Sequence, residues 1–197
     1  MNLNFTNYKA GPTITLIGAL WTFSSWGLSH VWGYGWLQGI GPTVVVGFVL
    51  FAYDRWAWRW PIFSMLNTVP DLTGLYRGEV LFSWNGVEST KSCEMRVIQR
   101  CSHIKVTCVF GSGEAIETRS VSTHAIIEED AAGEHKLIFL YHNDGSHMVG
   151  NSITCHDGTN ILNVSKTNDV VSLVGHYYTN REPQTKGQIK LERVGNS

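Results

Sequence analysis

Residues 75–84 read LYRGEVLFSW, and the stretch has a period of two: Tyr76, Gly78, Val80, Phe82 and Trp84 alternate with Arg77, Glu79 and Ser83. Successive side chains of an extended backbone point to opposite faces, so this is a strand with one buried and one wet face. Asn85-Gly86 follows, a pair in which both residues tolerate positive φ and which closes a tight hairpin. Working outward, comparable runs recur at 93–100, 103–110, 115–128, 135–142, 159–165, 170–180 and 187–194. Gly111-Ser112-Gly113, residues 131–133, Asp144-Gly145, Asp157-Gly158 and Asn168-Asp169 read as the turns between them. The pattern predicts about eight short antiparallel strands and no amphipathic helix after Pro70. An up-and-down β-barrel is the expected all-β fold, because closure removes unpaired edges and leaves an interior for side chains or one small ligand. An open sandwich fits the same strand list. A lipid-facing barrel does not, since the outward positions Arg77, Glu79, Lys190 and Glu192 are charged.

Upstream of Pro70 the chemistry changes. From Ala10 to Tyr53 there is no Asp, Glu, Lys or Arg. Two apolar runs, 14–31 and 37–53, are separated by the turn-like Gly33-Tyr34-Gly35, and each has the length of a short membrane span. Trp32 and Trp36 flank the turn, while Trp56, Trp58 and Trp60 follow the second run; indoles settle at the headgroup level and mark the two water boundaries. A hairpin buried in a soluble core is the competing reading. Lys9 precedes the first run, Arg55 and Arg59 follow the second, and the turn has no cation, so the positive-inside rule puts both termini and the polar domain in the cytoplasm. The start lacks the basic, single-core, small-residue pattern of a cleaved signal peptide. The expected division is a two-span transmembrane hairpin with its aromatic segment at 1–60, a connector at 61–70 between Pro61 and Pro70, and a β-barrel at 71–197.

Function classes narrow by composition. With 15 basic against 16 acidic residues the chain presents no field of one sign, which argues against a nucleic-acid polymer as partner and leaves a small anion possible. Cys93, Cys101, Cys108 and Cys155 form no CxxC pair; half-buried reduced thiols are expected, and no zinc-finger spacing is present. No GxSxG, HExxH or phosphate-binding glycine loop occurs, and Ser152 with His147 or His156 and Asp157 lacks the strand-turn-helix setting of a nucleophile. The chain is read as a binding protein and not an enzyme.

Binding chemistry concentrates at 174–189, VGHYYTNREPQTKGQI. Tyr178 and Asn180 share one strand face, Tyr177, Thr179 and Arg181 the other, and one of these faces enters the barrel mouth. There a tyrosine stacks on a base, an arginine fork holds a phosphate, and threonine or asparagine reads base edges.

A charge-free two-span hairpin followed by LTGLYRG (72–78), YHND (141–144), HDGTNIL (156–162), GHYYTNR (175–181) and TKGQIKLER (185–193) resembles the CD-NTase-associated protein 15 family, two-transmembrane β-barrel effectors of bacterial cyclic-oligonucleotide-based antiphage signalling. The resemblance spans nearly the whole chain. It implies an inner-membrane protein whose cytosolic barrel binds a cyclic dinucleotide made by a phage-activated nucleotidyltransferase. Its membrane segments then self-associate and breach the bilayer in abortive infection. No cofactor beyond the activating ligand is implied. By the motifs, the ligand-binding residues would be Tyr76, Arg77, Tyr141, Asn143, His156, Thr159, Tyr178, Thr179, Asn180, Arg181 and Lys186. Neighbours such as Tyr76 and Arg77 cannot both face the interior of a regular strand. The stretch 146–155 has no counterpart among the motifs. Two other classes remain: a membrane-tethered lipocalin-like carrier of a small hydrophobic ligand, which predicts an apolar interior, and an anchor whose barrel docks a protein.

Overall fold

The computed structural model describes residues 7–32, 37–84, 86–112, 115–146, 153–182 and 184–195. The expected turns at 33–35, at Asn85 and at Gly113, together with Trp36, His147 and Ser152, lie outside the described residues. The chain divides into two compact units, 1–68 with 100–102, and 69–99 with 103–197.

The second unit is a closed eight-stranded barrel in which each strand pairs with its sequence neighbours and the last with the first. The strands are β1 (Gly74–Trp84), β2 (Val87–Arg100), β3 (His103–Ser112), β4 (Ala115–Glu129), β5 (His135–Ser146), β6 (His156–Thr167), β7 (Val170–Thr179) and β8 (Lys186–Arg193). Closure rather than a sandwich is realised by the antiparallel β1–β8 ladder, Tyr76 opposite Arg193 through Phe82 opposite Gly187. The inner face of β1 is the one expected from its alternation: Tyr76 and Val80 are buried, Arg77 and Glu79 exposed.

One end of the barrel is packed solid. Met95, Val97, Val106, Leu137, Leu162 and Leu173 are almost wholly buried there, each such side chain contributing about 1.5–3 kcal/mol by leaving water. Tyr76 belongs to this layer. It is fully buried, its hydroxyl donates to the Leu72 carbonyl at 2.8 Å and accepts from Arg193 Nε at 3.2 Å. The other end, where β1 meets β2, β3 meets β4, β5 meets β6 and β7 meets β8, carries the cavity described below.

Two predicted turns lie inside strands. Asp144-Gly145 falls within β5 and Asp157-Gly158 within β6. Gly145 has φ +75°, a conformation that side-chain-bearing residues avoid, and it sits where the β4–β5 register shifts between Ser120 opposite Asn143 and Thr118 opposite Ser146, so β5 bulges there and pairing with β4 resumes at Ser146. Gly158 stays in the ladder opposite Tyr141 and Thr179; its glycine identity answers a packing demand and not a turn. Asn168-Asp169 does form the expected tight turn, both residues at positive φ, 49° and 65°. β2 begins at Val87, six residues before the alternation announced it, because its first residues are exposed and show no apolar face.

The first unit contains α1 (Ala10–Trp32) and α2 (Leu37–Arg55), then short 3-10 turns at Ala57–Arg59 and Pro61–Leu66. Among the described residues no helix is long and apolar enough to cross a membrane. Glycine, serine, threonine and tryptophan dilute the apolar residues, although none of them carries charge. The hydroxyls turn inward: Thr15, Thr22 and Ser24 donate to the carbonyls of Gly11, Gly18 and Leu20 at 3.1, 2.9 and 2.6 Å. At the other end of the unit Asn67 donates its amide to the Tyr53 hydroxyl and to the Trp58 carbonyl, both at 3.1 Å.

Candidate functional site

The barrel interior opens at one end into a cavity of ≈ 290 Å³, at the lower edge of the roughly 300–1,000 Å³ typical of small-molecule sites. Its walls come from all eight strands and from the loop between β7 and β8. Val80, Cys108 and Ile189 form an apolar side; Phe82, Phe110, Tyr141 and Tyr177 supply aromatic surface.

Polar groups occupy the remainder, and most are held by partners. Asn143 donates its amide to Ser120 Oγ at 2.8 Å and accepts the Gly145 N–H at 2.9 Å. Thr179 and Thr185 lock the loop between β7 and β8: the Thr179 hydroxyl lies 3.0 Å from that of Thr185, and the Thr185 N–H donates to it at 3.1 Å. Lys91 pairs with Glu117, so much of its charge is spent within the wall. Arg181 also lines the cavity. His156 stands nearby, its Nδ1 2.8 Å from the Thr154 carbonyl oxygen. Burial holds the His156 pKa below the ordinary histidine range, so its ring is neutral at pH 7. Burial, reinforced by Tyr177, raises the Tyr141 phenol, and burial pushes Tyr177 up to about 12; both remain neutral hydroxyls able to donate. Cys108 is likewise raised, by its hydrogen bond with Cys93 and then by burial, and it presents a neutral thiol.

Gly158 lets Tyr141 into this cavity. A Cβ at Gly158 would lie 2.3 Å from the Tyr141 hydroxyl oxygen and 2.5 Å from the Tyr178 carbonyl oxygen. Gly158→Ala is therefore expected to cost the barrel about 1–3 kcal/mol by overpacking, read as a lower urea midpoint of the β-sheet circular dichroism. Adding Tyr141→Phe should recover only part, because the carbonyl contact remains. An unchanged midpoint for the single variant would refute the packing role.

Of the eleven residues singled out from the motifs, Tyr141, Asn143, His156, Thr179 and Arg181 meet at the cavity. The other six are elsewhere. Tyr76 is in the sealed layer beyond the cavity. Arg77 points outward and pairs with Glu94 at 2.9 Å. Thr159 and Tyr178 face each other across the outer side of β6 and β7, because they are one residue out of phase with the inward Gly158, Asn160 and Thr179. Asn180 accepts the Asp157 N–H at 2.9 Å and donates its own N–H back at 3.0 Å, which ties β6 to the end of β7. Lys186 is exposed on the outside. The motif residues leave out Tyr177, which alternation places on one face with Thr179 and Arg181, and Asn160, which pairs with Phe139 and Tyr177 in the ladders. Strict alternation back from Thr179 on β7, and along β6 from Leu162, would have found both.

Of the unassigned stretch 146–155, residues 147–152 lie outside the described residues. Its far end folds back on β5, where the Ser146 N–H donates to the Ile153 carbonyl at 2.9 Å, and Ile153 lines the cavity.

Residues 67–193 match the family described as Cap15, cyclic dinucleotide receptor domain. The chain is also 27% identical over 165 residues to CD-NTase-associated protein 15 of Staphylococcus schleiferi, covering 83% of this chain and 84% of that protein.

Proposed function

Because the chain belongs to the Cap15 family, whose cyclic dinucleotide receptor domain spans residues 67–193, we propose that the barrel cavity is its ligand site and that the protein is a cyclic-dinucleotide-gated membrane effector of antiphage defence. The observation that carries this reading is the meeting of aromatic faces, Tyr141 and Tyr177, with the cation Arg181 and hydrogen-bonding amides in one cavity. A cyclic dinucleotide offers two bases and two phosphate charges, which need those groups together. A carrier of hydrophobic cargo would be served by an apolar wall, whereas Asn143, Ser120, Thr179 and Thr185 line this one.

Ligand binding acts by population shift. Nucleotide that binds an assembled state more tightly than the free one drives self-association, and a near-complete switch needs a differential of about 5 kcal/mol. The helices α1 and α2 are the membrane-active part in this proposal. At 1.5 Å per residue their 23 and 19 residues extend about 35 and 28 Å, comparable to a hydrocarbon core of about 30 Å. Ile14, Phe23, Trp26, Val44 and Phe48 present large apolar surfaces, and the hydroxyls of Thr15, Thr22 and Ser24 are bonded to carbonyls within α1. Small and hydroxylated residues favour close helix packing, so the hairpins insert best in company, which makes assembly the step that breaches the bilayer. Lys9, Arg55 and Arg59 set both termini and the barrel on the cytoplasmic side of the inner membrane.

The test is direct. The full chain in detergent is titrated by calorimetry with 3′,3′-cyclic di-adenylate, di-guanylate, di-cytidylate and di-uridylate, and the mixed-base forms, then reconstituted into dye-loaded anionic liposomes. Binding of one member, a shift to larger oligomers and dye release on adding that member are expected. A folded chain that binds none would overturn the receptor reading. Binding without a change in oligomer size or leakage would overturn the membrane mechanism alone.

A further inference from the structure

We propose that Asn160 reads the base of the bound nucleotide, accepting one of its N–H groups, so that the ligand enters the barrel base first. The inference rests on the receptor reading above and specifies how that site is used.

Asn160 lies on the inner face of β6, between Phe139 on β5 and Tyr177 on β7. It lines the cavity and is 4% exposed, yet its side-chain oxygen has no hydrogen-bond partner. Buried polar groups are nearly always paired, so a buried amide oxygen left open inside a cavity marks a place where something else donates. Its neighbours contrast with it. Asn143, nearer the mouth, spends both ends of its amide on Ser120 and Gly145, which leaves Asn160 the amide with an open acceptor.

The depth of this acceptor orients the ligand. His156 and Asn160 are two inward positions apart on β6, about 13 Å along the strand at roughly 3.3 Å per residue. Arg181 and His156 are both at the cavity, and Arg181 follows the end of β7 in the loop at the mouth. One inward position beyond Asn160 is the fully buried Leu162, so the amide is at the floor. A phosphodiester is ionised and carries no donor for a carbonyl oxygen. A base edge carries an N–H and a flat apolar face, which suits the open oxygen between Phe139 and Tyr177. With ≈ 290 Å³ available, the cavity has room for a base and leaves the charged ring at the mouth with Arg181.

The test uses the full chain in detergent and the nucleotide panel above. Asn160→Leu keeps the shape and removes the acceptor. The expected result is at least a tenfold weaker affinity for the nucleotide that wild type binds best, with a melting temperature of the unliganded protein equal to or above that of wild type. As a second measurement that does not depend on the variant folding, nucleotide analogues methylated so that the base N–H groups are removed one at a time are titrated into wild type. One of them should lose at least tenfold, and that analogue should bind wild type and Asn160→Leu alike. Affinity of Asn160→Leu within twofold of wild type, or a lowered melting temperature with affinity retained, makes Asn160 a structural residue and overturns the inference while the receptor reading stands. Equal binding of every methylated analogue overturns it as well. If wild type binds no member of the panel, the receptor reading falls and this inference falls with it.

Discussion

Arg181→Ala should weaken cyclic dinucleotide binding by about 12- to 140-fold, while Lys186→Ala, five residues away and equal in charge, should leave it within about twofold. The difference comes from where the two cations stand. Arg181 lines the cavity, and His156 beside it is held neutral at pH 7 by burial. Lys91 pairs with Glu117 in the wall, and Arg181 brings a guanidinium charge to the cavity lining, where a fork of N–H donors suits a phosphate. Hydrogen bonds to charged groups are worth about 1.5–3 kcal/mol, which is the range of fold-change stated. Arg181→Lys should restore only part, since an ammonium keeps the charge but not the planar two-pronged donor. Lys186 is exposed on the outer wall, where removing a solvated charge costs little. Calorimetry at one fixed salt concentration decides the matter. Equal losses for the two alanine variants would mean that the nucleotide binds on the outer wall rather than in the cavity.

Asp54→Ala is the second change with a large expected effect, here on the stability of the helical unit. Asp54 closes α2 and is 2% exposed. Its carboxylate accepts the Ser102 N–H at 2.7 Å and the Tyr8 hydroxyl at 3.4 Å, and its own carbonyl oxygen accepts the Cys101 N–H at 3.2 Å. Burial, then Cys101 and Asp54, keep the Tyr8 pKa well above the ordinary phenol range, so Tyr8 remains a donor at any physiological pH. Alanine leaves the Ser102 N–H buried and unmet and takes one acceptor from Tyr8, a loss of about 3 kcal/mol. Asp54→Asn keeps an acceptor and should lose about 1 kcal/mol. The readout is favourable because seven of the eight tryptophans precede residue 61, so their fluorescence follows the helical unit while β-sheet circular dichroism follows the barrel. A urea titration in mild detergent should move the fluorescence transition in the order Ala, Asn, wild type. A fluorescence transition that does not move in Asp54→Ala would show the carboxylate to be unimportant there.

The barrel was legible because its signal is local. Tyr76, Val80 and Phe82 against Arg77, Glu79 and Ser83 declare a strand and its faces without any knowledge of partners, and the same period recurs often enough to count eight strands. Legibility failed where a residue answers a distant neighbour. Gly158 looks like half of an Asp-Gly turn, but its missing side chain makes room for Tyr141, seventeen positions earlier in the chain. Gly145 likewise lets a strand bend rather than end. For the same reason, five of the eleven motif residues line the cavity and six stand elsewhere. On β7, alternation separated Thr179 from Tyr178 correctly but could not say which of them looks inward.

What the sequence by itself determined, then, is the strand count, the partition of each strand into two faces, and the break in chemistry between the uncharged stretch 10–53 and the polar remainder. These follow from periodicity and composition, which nearest neighbours along the chain suffice to express. Only the tertiary structure decided that β8 closes onto β1, that Tyr76 seals one end while Tyr141 and Tyr177 open into the other, and that the amide oxygen of Asn160 lies unpaired at the floor. Those outcomes depend on strand order and register around a closed ring, which bring residues from every strand into one layer, and no local pattern encodes the sum of those offsets.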